Sequence, residues 1–207
     1  MTNGSLPLWL KLAFSAWIAF WAPAYAILLG PHNFFWLCNL ASFLILAGLW
    51  LEHRLLLSMQ WLSVALIGLL WGLDLGVAAL TGWHPFGGTA YMLDPDFPDL
   101  ARILSFYHLL LPLVTGFAVW RLGYDRRALL WQSLLTVVMI IISRALTAPE
   151  RNINWVHAPF GMEQAPLPAS FYLPLLMLSW AALILWPVHR LSRWLQESKT
   201  KRWNRRT

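Results

Sequence analysis

Long runs of apolar residues restrict the fold of this chain more than any other feature of its sequence. Six such runs occupy residues 6–29, 34–51, 55–80, 103–122, 128–147 and 170–188. About 20 apolar residues in a helix span the hydrocarbon core of a bilayer. Only 12% of the residues are charged, about half the share that soluble domains carry. The sequence therefore predicts an all-α integral membrane protein, a bundle of about six transmembrane helices.

No repeat, low-complexity tract or linker divides the chain into separate folding units. We expect a single transmembrane helical domain over residues 1–188, followed by a basic cytoplasmic tail over residues 189–207. The first apolar run resembles a secretory signal peptide, because the motif AYA at residues 24–26 looks like a cleavage site. Its leading segment holds Lys11 as the only basic residue, which favours a helix that is retained.

The basic residues are distributed unevenly between the segments that connect the predicted helices. If both termini are cytoplasmic, twelve of the fifteen Lys and Arg residues lie in cytoplasmic segments, and only Arg102, Arg144 and Arg151 lie outside. Positively charged loops stay on the cytoplasmic side of a membrane. The sequence therefore predicts an N-in, C-in topology.

The basic tail carries tryptophans between its charges, in the sequence HRLSRWLQESKTKRWNRRT. Such a segment is typical of a helix on an anionic membrane surface. The formal net charge of +6 therefore needs no nucleic-acid partner to explain it. Seven of the fifteen tryptophans fall near predicted helix ends, where interfacial anchoring accounts for them: Trp9, Trp36, Trp50, Trp83, Trp120, Trp155 and Trp186.

Several polar residues fall inside the predicted spans, near their outer ends. They are Cys38, Asn39, Asp74, His108 and Arg144. An ionisable side chain costs about 2.5–3.5 kcal/mol at the membrane centre and less near the interface, so it usually faces the bundle interior or an aqueous cavity. We therefore expect four helices to contribute to a polar chamber that opens outward.

The loop PERNINWVHAPFG, residues 149–161, is unusually polar and joins the fifth and sixth spans. We predict that it forms the rim of this chamber and that Trp155 anchors it at the interface. The rim residues that would contact a substrate are Glu150, Asn152, Asn154 and His157.

Each candidate has a catalytic and a structural interpretation. His108 would act as a general base oriented by Asp74, and Arg144 would clamp an anionic group such as phosphate or carboxylate. Cys38 would be a nucleophile if its thiolate were stabilised. Alternatively, Asp74 and Arg144 form a structural ion pair, His108 bonds a neighbouring helix, and Cys38 is a small apolar filler.

The sequence gives little support for a metal or a cofactor. Asp94, Asp96 and Asp99 lie near His84 in the third connecting loop, but paired histidines at metal-binding spacing are absent and the prolines indicate a rigid turn. Walker A, G-x-G-x-x-G, G-x-S-x-G and C-x-x-C motifs are also absent. We expect no metal site, and the cofactor is unknown.

Five segments resemble a group of small bacterial multi-pass membrane-associated proteins to which no activity is assigned. The segments are GPHNFFWLCNLASFLILAGLWLE, GTAYMLDP, LSFYHLLLPL, RLGYDRRALLWQ and PERNINWVHAPFG. The resemblance covers nearly the whole chain. It implies a multi-pass protein of the bacterial cytoplasmic (inner) membrane.

A more distant resemblance is to the YwaF-like transmembrane acyltransferase family, which includes an enzyme acting on ether phospholipids. It rests on the order of LCNL, WGLDL and FYHLLLPL, followed by an Asn-containing loop. The family's acyltransferase uses a Cys and a His, which fall on Cys38 and His108 here. This chain is shorter than the family's members and has one predicted span fewer.

Together these observations predict a lipid-active membrane enzyme that catalyses acyl transfer or hydrolysis in an outward-facing polar chamber. The alternative is a non-enzymatic subunit for lipid or small-molecule binding, transport or complex assembly, in which Asp74, His108 and Arg144 form a packing network. Expected partners are membrane lipids, and a homo-oligomer or a partner membrane protein is compatible with either function. No nucleic acid is expected.

Overall fold

A computed structural model describes residues 5–159, 162 and 167–204, with side chains as far as 198. The described residues fold into α-helices joined by short 3-10 segments, without strands. The α-helices are α1 Leu8–Leu29, α2 Leu37–Trp50, α3 Arg54–Thr81, α4 Asp99–Leu104, α5 Tyr107–Leu122, α6 Ala128–Leu146, α7 Ala169–Ser179 and α8 Trp186–Asn204. The predicted all-α membrane bundle is confirmed.

Successive helical segments run between two opposite ends of the bundle. At one end, which we call the basic end, Lys11 of α1 bonds Glu52 just after α2 at 2.7 Å, and Arg121 of α5 bonds the Ser5 carbonyl. At the other, the loop end, Asn154 bonds the start of α2 at Leu37. The described parts of both terminal helices start or finish at the basic end, as the distribution of Lys and Arg predicted.

In the part of the chain that the structure describes, five helical segments are long and apolar enough to cross a membrane. They are Leu8–Leu29, Arg54–Thr81, Asp99–Leu122, Ala128–Leu146 and Ala169–Ser198. The second predicted span is different, because its α-helix α2 has only 14 residues and is about 21 Å long. The chain before it forms a 3-10 helix, Pro31–Phe35, after Gly30 at φ +83°. As a result, α2 starts below the level at which the longer helices end.

The fourth and sixth predicted spans contain irregularities. The fourth is broken at Ser105 and Phe106, between α4 and α5. The sixth contains a π-helix, Trp180–Leu185, between α7 and α8. It then continues as α8 to Asn204, so the first part of the predicted tail extends the last membrane helix.

Helix α3 is the central element, and it packs most closely against α5. An ideal Cβ on Gly68 would clash with the carbonyl oxygen of His108 and lie 2.6 Å from Pro112 Cγ. The absence of a side chain at Gly68 therefore allows the two backbones to approach, a common device between membrane helices. This contact also fixes the depth of His108 below the loop end. Its carbonyl packs against Gly68, which lies about 20 Å along α3 from Thr81.

Candidate functional site

A cavity of about 610 Å³ lies under the loop end of the bundle, between α2, α3, α5 and the π-helix region of the last span. We call it the main cavity. It exists because α2 starts low and loops cover the space above it. Its aromatic lining consists of Tyr25, Trp36, Trp71, Phe86, Tyr91, Phe97, Tyr107, Trp155 and Trp180. Its volume falls within the range of small-molecule sites, about 300–1,000 Å³.

Polar side chains are a minority in this lining. They are Asn33, Cys38, Asn39, Asp74, Ser105, His108, Arg151 and Ser179. Of the residues predicted for the site, Cys38, Asn39, Asp74 and His108 therefore do line one cavity. The cavity is an apolar and aromatic chamber with a few convergent polar groups, and so it is less polar than the sequence suggested.

The three polar residues on the α2 side form one hydrogen-bonded cluster. Tyr107 donates its hydroxyl hydrogen to Asn39 Oδ1, and Asn39 Nδ2 donates to the Asn33 carbonyl at 2.7 Å. Cys38 Sγ lies 3.1 Å from the same Tyr107 hydroxyl. The cluster uses the hydrogen-bonding capacity of Asn39 internally, so this side chain supports the cavity wall.

His108 lies in the aromatic part of the wall. Its ring stacks on Trp71, with centroids 5.0 Å apart and planes 10° apart, and contacts Tyr107 on another side at 4.1 Å. Its Nδ1 lies 2.8 Å from the Ser105 carbonyl oxygen. A carbonyl only accepts, so Nδ1 of a neutral ring carries the hydrogen and Nε2 keeps its lone pair.

Asp74 does not orient His108, which corrects the predicted acid–base pair. The carboxylate, fully buried, accepts hydrogen bonds from Phe86 N at 2.6 Å, Thr89 N at 2.9 Å and Thr89 Oγ1 at 2.6 Å. His84 Nδ1 lies 3.6 Å from Asp74 Oδ2. No hydrogen bond joins Asp74 to His108 among the described residues, because the Gly68 contact places His108 below the carboxylate. Asp74 instead fixes the loop over residues 82–98 above the cavity.

The predicted ion pair between Asp74 and Arg144 is also absent from the described residues. Arg144 lies in the last turn of α6 with an exposed side chain, and its guanidinium donates to His157 Nδ1. Both line a separate pocket with Glu150 and Asn152. Burial, and then the neighbouring Arg144 charge, lower the pKa of His157. These four residues therefore do not face the main cavity as predicted.

The two loop asparagines shape the backbone of the loop over residues 147–159, which we call the cover loop. Asn154, buried, accepts from Leu37 N at 2.9 Å and donates to the Phe35 carbonyl and Ser143 Oγ. Asn152 accepts from two backbone N–H groups within the loop, those of His157 and Ala158. Both residues have positive φ, which asparagine tolerates better than most residues. The prediction that they face the chamber is wrong.

The residues of the cover loop that do line the main cavity are Arg151, Ile153 and Trp155. Trp155 stacks on Trp180 of the last span at 5.9 Å and packs edge-on against Trp36 at 5.4 Å. It therefore forms part of the cavity wall. Arg151, whose side chain is exposed, donates to the Leu29 carbonyl at 3.2 Å at the loop end.

Sequence reasoning did not assign Tyr25, Trp71, Tyr91, Tyr107, Trp180 or Arg151 to the site. Trp71 Nε1 donates to the Tyr91 hydroxyl at 3.1 Å, and burial raises the pKa of Tyr91 to about 12. Tyr25 and Ser105 share a hydrogen bond of 2.6 Å. An aromatic residue within an apolar run usually packs or anchors at the interface, so the usable signal was the pairing of Tyr107 with His108 in the motif FYHLLLPL.

One lining residue of the main cavity is also exposed on the outside of the bundle. Leu183 lines the cavity although 66% of its surface is exposed. It lies in the π-helix, with Trp180 and Ile184 on the cavity side. Single-turn π segments often occur at functional sites. The wall between α3 and the last span is therefore thin where it meets the surrounding membrane.

Comparisons with known proteins give no further assignment. No family model, curated protein or solved structure matches this chain.

Proposed function

We propose that this multi-pass protein binds an amphiphilic lipid-like molecule in the main cavity, taking it from the surrounding membrane. The observation that carries the proposal is the composition of the cavity: an apolar and aromatic chamber of about 610 Å³ with a few polar groups at defined positions. Apolar walls suit a hydrocarbon chain, and a small number of polar groups fix the orientation of a ligand.

The exposure of one lining residue supports a ligand that enters the cavity from the membrane. The lining residue Leu183 is exposed on a helix long and apolar enough to span a bilayer. At the opposite side, the cover loop and the loop held by Asp74 close the space above the cavity. A chain entering laterally keeps its apolar part out of water throughout, whereas entry through the loop end would expose it.

The charged groups around the cavity indicate where the polar end of the ligand lies, which is near the loop end. Arg151 carries the one guanidinium among the described lining residues, and it lies at the loop end. Asp74 is occupied by its three hydrogen bonds. We therefore place the headgroup beneath the cover loop and the chain beside Ile67, Leu70 and Ile184.

Native mass spectrometry of the purified protein tests this function. We expect a mass increment of one bound lipid that survives detergent removal. Leu70→Trp fills the cavity from α3 and should abolish the increment. Leu69→Trp is the matched control, because Leu69 is the adjacent residue, 57% exposed and outside the lining. Equal retention in both variants would contradict the proposal.

Acyl transfer or hydrolysis is a second candidate, favoured by one observation. Cys38 and His108 line the same cavity, with Tyr107 contacting both. In such a reaction the Cys38 thiolate would attack an ester carbonyl and release the alcohol, leaving a thioester that water or another alcohol then cleaves. The thiol has no hydrogen bond to His108 among the described residues, so the proton would have to pass through a moved side chain.

Intact-mass analysis with hydroxylamine separates the two candidates. An acyl adduct that hydroxylamine removes, present in the wild type and absent from Cys38→Ala, supports catalysis. A lipid that is bound reversibly by both proteins, with no covalent increment in either, supports binding alone.

For the cellular location, we propose the cytoplasmic membrane of a bacterium, with the basic end on the cytoplasmic side. The excess of Lys and Arg at that end supports this orientation. Cysteine accessibility to a membrane-impermeant thiol reagent in whole cells tests it in a Cys38→Ala background. The variant Thr81→Cys should react and the variant Arg126→Cys should not; the reverse pattern would contradict the orientation.

A further inference from the structure

The hydrogen-bonding inventory of the main cavity specifies one feature of the ligand's polar end, provided that the proposed function holds. Asn39 accepts from Tyr107 and donates to the Asn33 carbonyl. The Tyr107 hydroxyl gives its single hydrogen to Asn39, and Cys38 lies against the same oxygen. These residues therefore offer little to a ligand.

Asp74 is equally unavailable to a ligand. Its carboxylate accepts from Phe86 N, Thr89 N and Thr89 Oγ1, and its side chain has no exposed surface. Ser105 gives its hydroxyl hydrogen to the Ala101 carbonyl at 2.8 Å and accepts from Tyr25. The polar groups of the wall are thus mostly engaged with one another.

His108 is the exception. Its Nδ1–H donates to the Ser105 carbonyl. No described residue forms a hydrogen bond with its Nε2. This nitrogen is not one of the fully buried side-chain atoms that lack a partner among the described residues. The imidazole lies between Trp71 and Tyr107 without a hydrogen-bonded carboxylate, so burial favours its neutral form. A neutral ring in this tautomer presents a lone pair to the cavity.

We infer that the main cavity selects a long-chain lipid with a free hydroxyl group, which donates its hydrogen to His108 Nε2. An ether, an ester or a carboxylate lacks a hydrogen at that position and leaves the ring nitrogen unpaired in an apolar wall. Sites built around a hydrogen bond reject analogues that lack it more strongly than apolar pockets reject a difference in size. Among the other lining residues, Arg151 donates to the Leu29 carbonyl, and a guanidinium only donates, so it does not supply this discrimination.

Competition binding tests the inference with an alcohol and its methyl ether, in which a methyl group replaces this hydrogen. Tritiated oleyl alcohol is bound to the full chain in nanodiscs, and oleyl alcohol or oleyl methyl ether is added as the competitor. For the wild type we expect the ether to compete about tenfold more weakly, the effect of one hydrogen bond together with the loss of a buried partner.

Two variants of His108 separate the hydrogen bond from the bulk of the added methyl group. His108→Phe retains a stacked ring without an acceptor and should bind alcohol and ether equally. His108→Gln retains an acceptor and should keep part of the preference. If His108→Phe discriminates as the wild type does, the methyl group is excluded by size and the inference is overturned.

The outcomes also distinguish this inference from the proposed function. Equal competition by alcohol and ether in the wild type, with binding lost in Leu70→Trp, overturns the hydroxyl preference and retains the cavity as a lipid site. Binding that Leu70→Trp and Leu69→Trp reduce equally, or no saturable binding at all, contradicts the proposed function itself. Size-exclusion profiles and unfolding temperatures confirm that each variant is folded.

Discussion

Asp74 accepts hydrogen bonds from both the backbone N–H and the hydroxyl of Thr89, at 2.9 and 2.6 Å. A carboxylate on the central helix thus holds the loop over residues 82–98 in place above the main cavity. Asp74 positions this loop, since both of its oxygens accept hydrogen bonds from it.

Replacing this carboxylate with an amide tests its role. In Asp74→Asn, an NH₂ group replaces one of the accepting oxygens and opposes the N–H donors of the loop. We expect a loss of about 1–3 kcal/mol in the free energy of unfolding, the cost of unsatisfied buried donors. Thr89→Val removes one hydroxyl donor and should cost less. Denaturation in detergent measures both, and a stability of Asp74→Asn equal to that of the wild type would contradict the account.

The contact between Gly68 and α5 gives a second prediction. Gly68→Ala should destabilise the protein by about 1–3 kcal/mol, the usual range for overpacking, because the new methyl group meets the His108 carbonyl. Gly76→Ala is the control on the same helix, since no atom lies within 4 Å of its Cβ position. It should be neutral or slightly stabilising, because alanine favours a helix more than glycine does. Similar unfolding midpoints for the two variants would refute the close approach.

A double-mutant cycle tests the cluster on the α2 side of the cavity. Tyr107→Phe removes the donor to Asn39, which is 2% exposed, and should cost about 1–3 kcal/mol because the amide oxygen is left unpaired. Asn39→Leu removes the acceptor. We expect the double variant to be about 1 kcal/mol more stable than the sum of the single effects implies, as for residues in one network. Additive effects would show that the two side chains do not interact.

The pH dependence of stability tests the contact between Lys11 and Glu52 at the basic end. The hydrogen bond from Lys11 lowers the pKa of Glu52, so its folded pKa lies below the unfolded value of about 4.3. The stabilisation is present above the unfolded pKa and is lost as the pH falls through the folded pKa. Glu52→Gln should therefore be less stable than the wild type at neutral pH, and the difference should disappear on acidification.

The control for this titration is Glu150→Gln, which changes an exposed carboxylate in the cover loop. Chemical unfolding at a series of pH values, from neutral to acidic, supplies the comparison. A gap between Glu52→Gln and the wild type that stays constant over this range would show that ionisation of Glu52 contributes nothing.

Much of the fold was predictable because apolar runs report membrane spans directly. The bounds of α3, α5 and α6 differ from the predicted runs by only a few residues at most ends. The short α2 was not predictable, since Phe34, Phe35 and Trp36 are as apolar as the helix that follows them. The turn at Gly30 and the 3-10 helix after Pro31 depend on tertiary contacts with the cover loop, which hydropathy does not report.

The candidate site was predictable in part. Cys38, Asn39, Asp74 and His108 converge on one cavity because polar groups in membrane helices avoid lipid. Their pairing was not predictable, since it depends on the relative heights of α3 and α5, which the Gly68 contact sets. Arg144 also avoids lipid, but it lies in the last turn of α6, from which its side chain reaches the exposed surface at the loop end.

The central claim, that the main cavity holds a membrane lipid, is tested most directly by photocrosslinking. A fatty alcohol with a diazirine along its chain is incorporated into membranes that contain the protein. The membranes are irradiated, and the crosslinked peptides are then sequenced by mass spectrometry. We expect crosslinks on α3 at the lining residues Ile67 and Leu70, which excess unlabelled alcohol suppresses. Crosslinks confined to the lipid-facing residues Leu69, Leu73 and Leu80, and unaffected by the competitor, would contradict the claim.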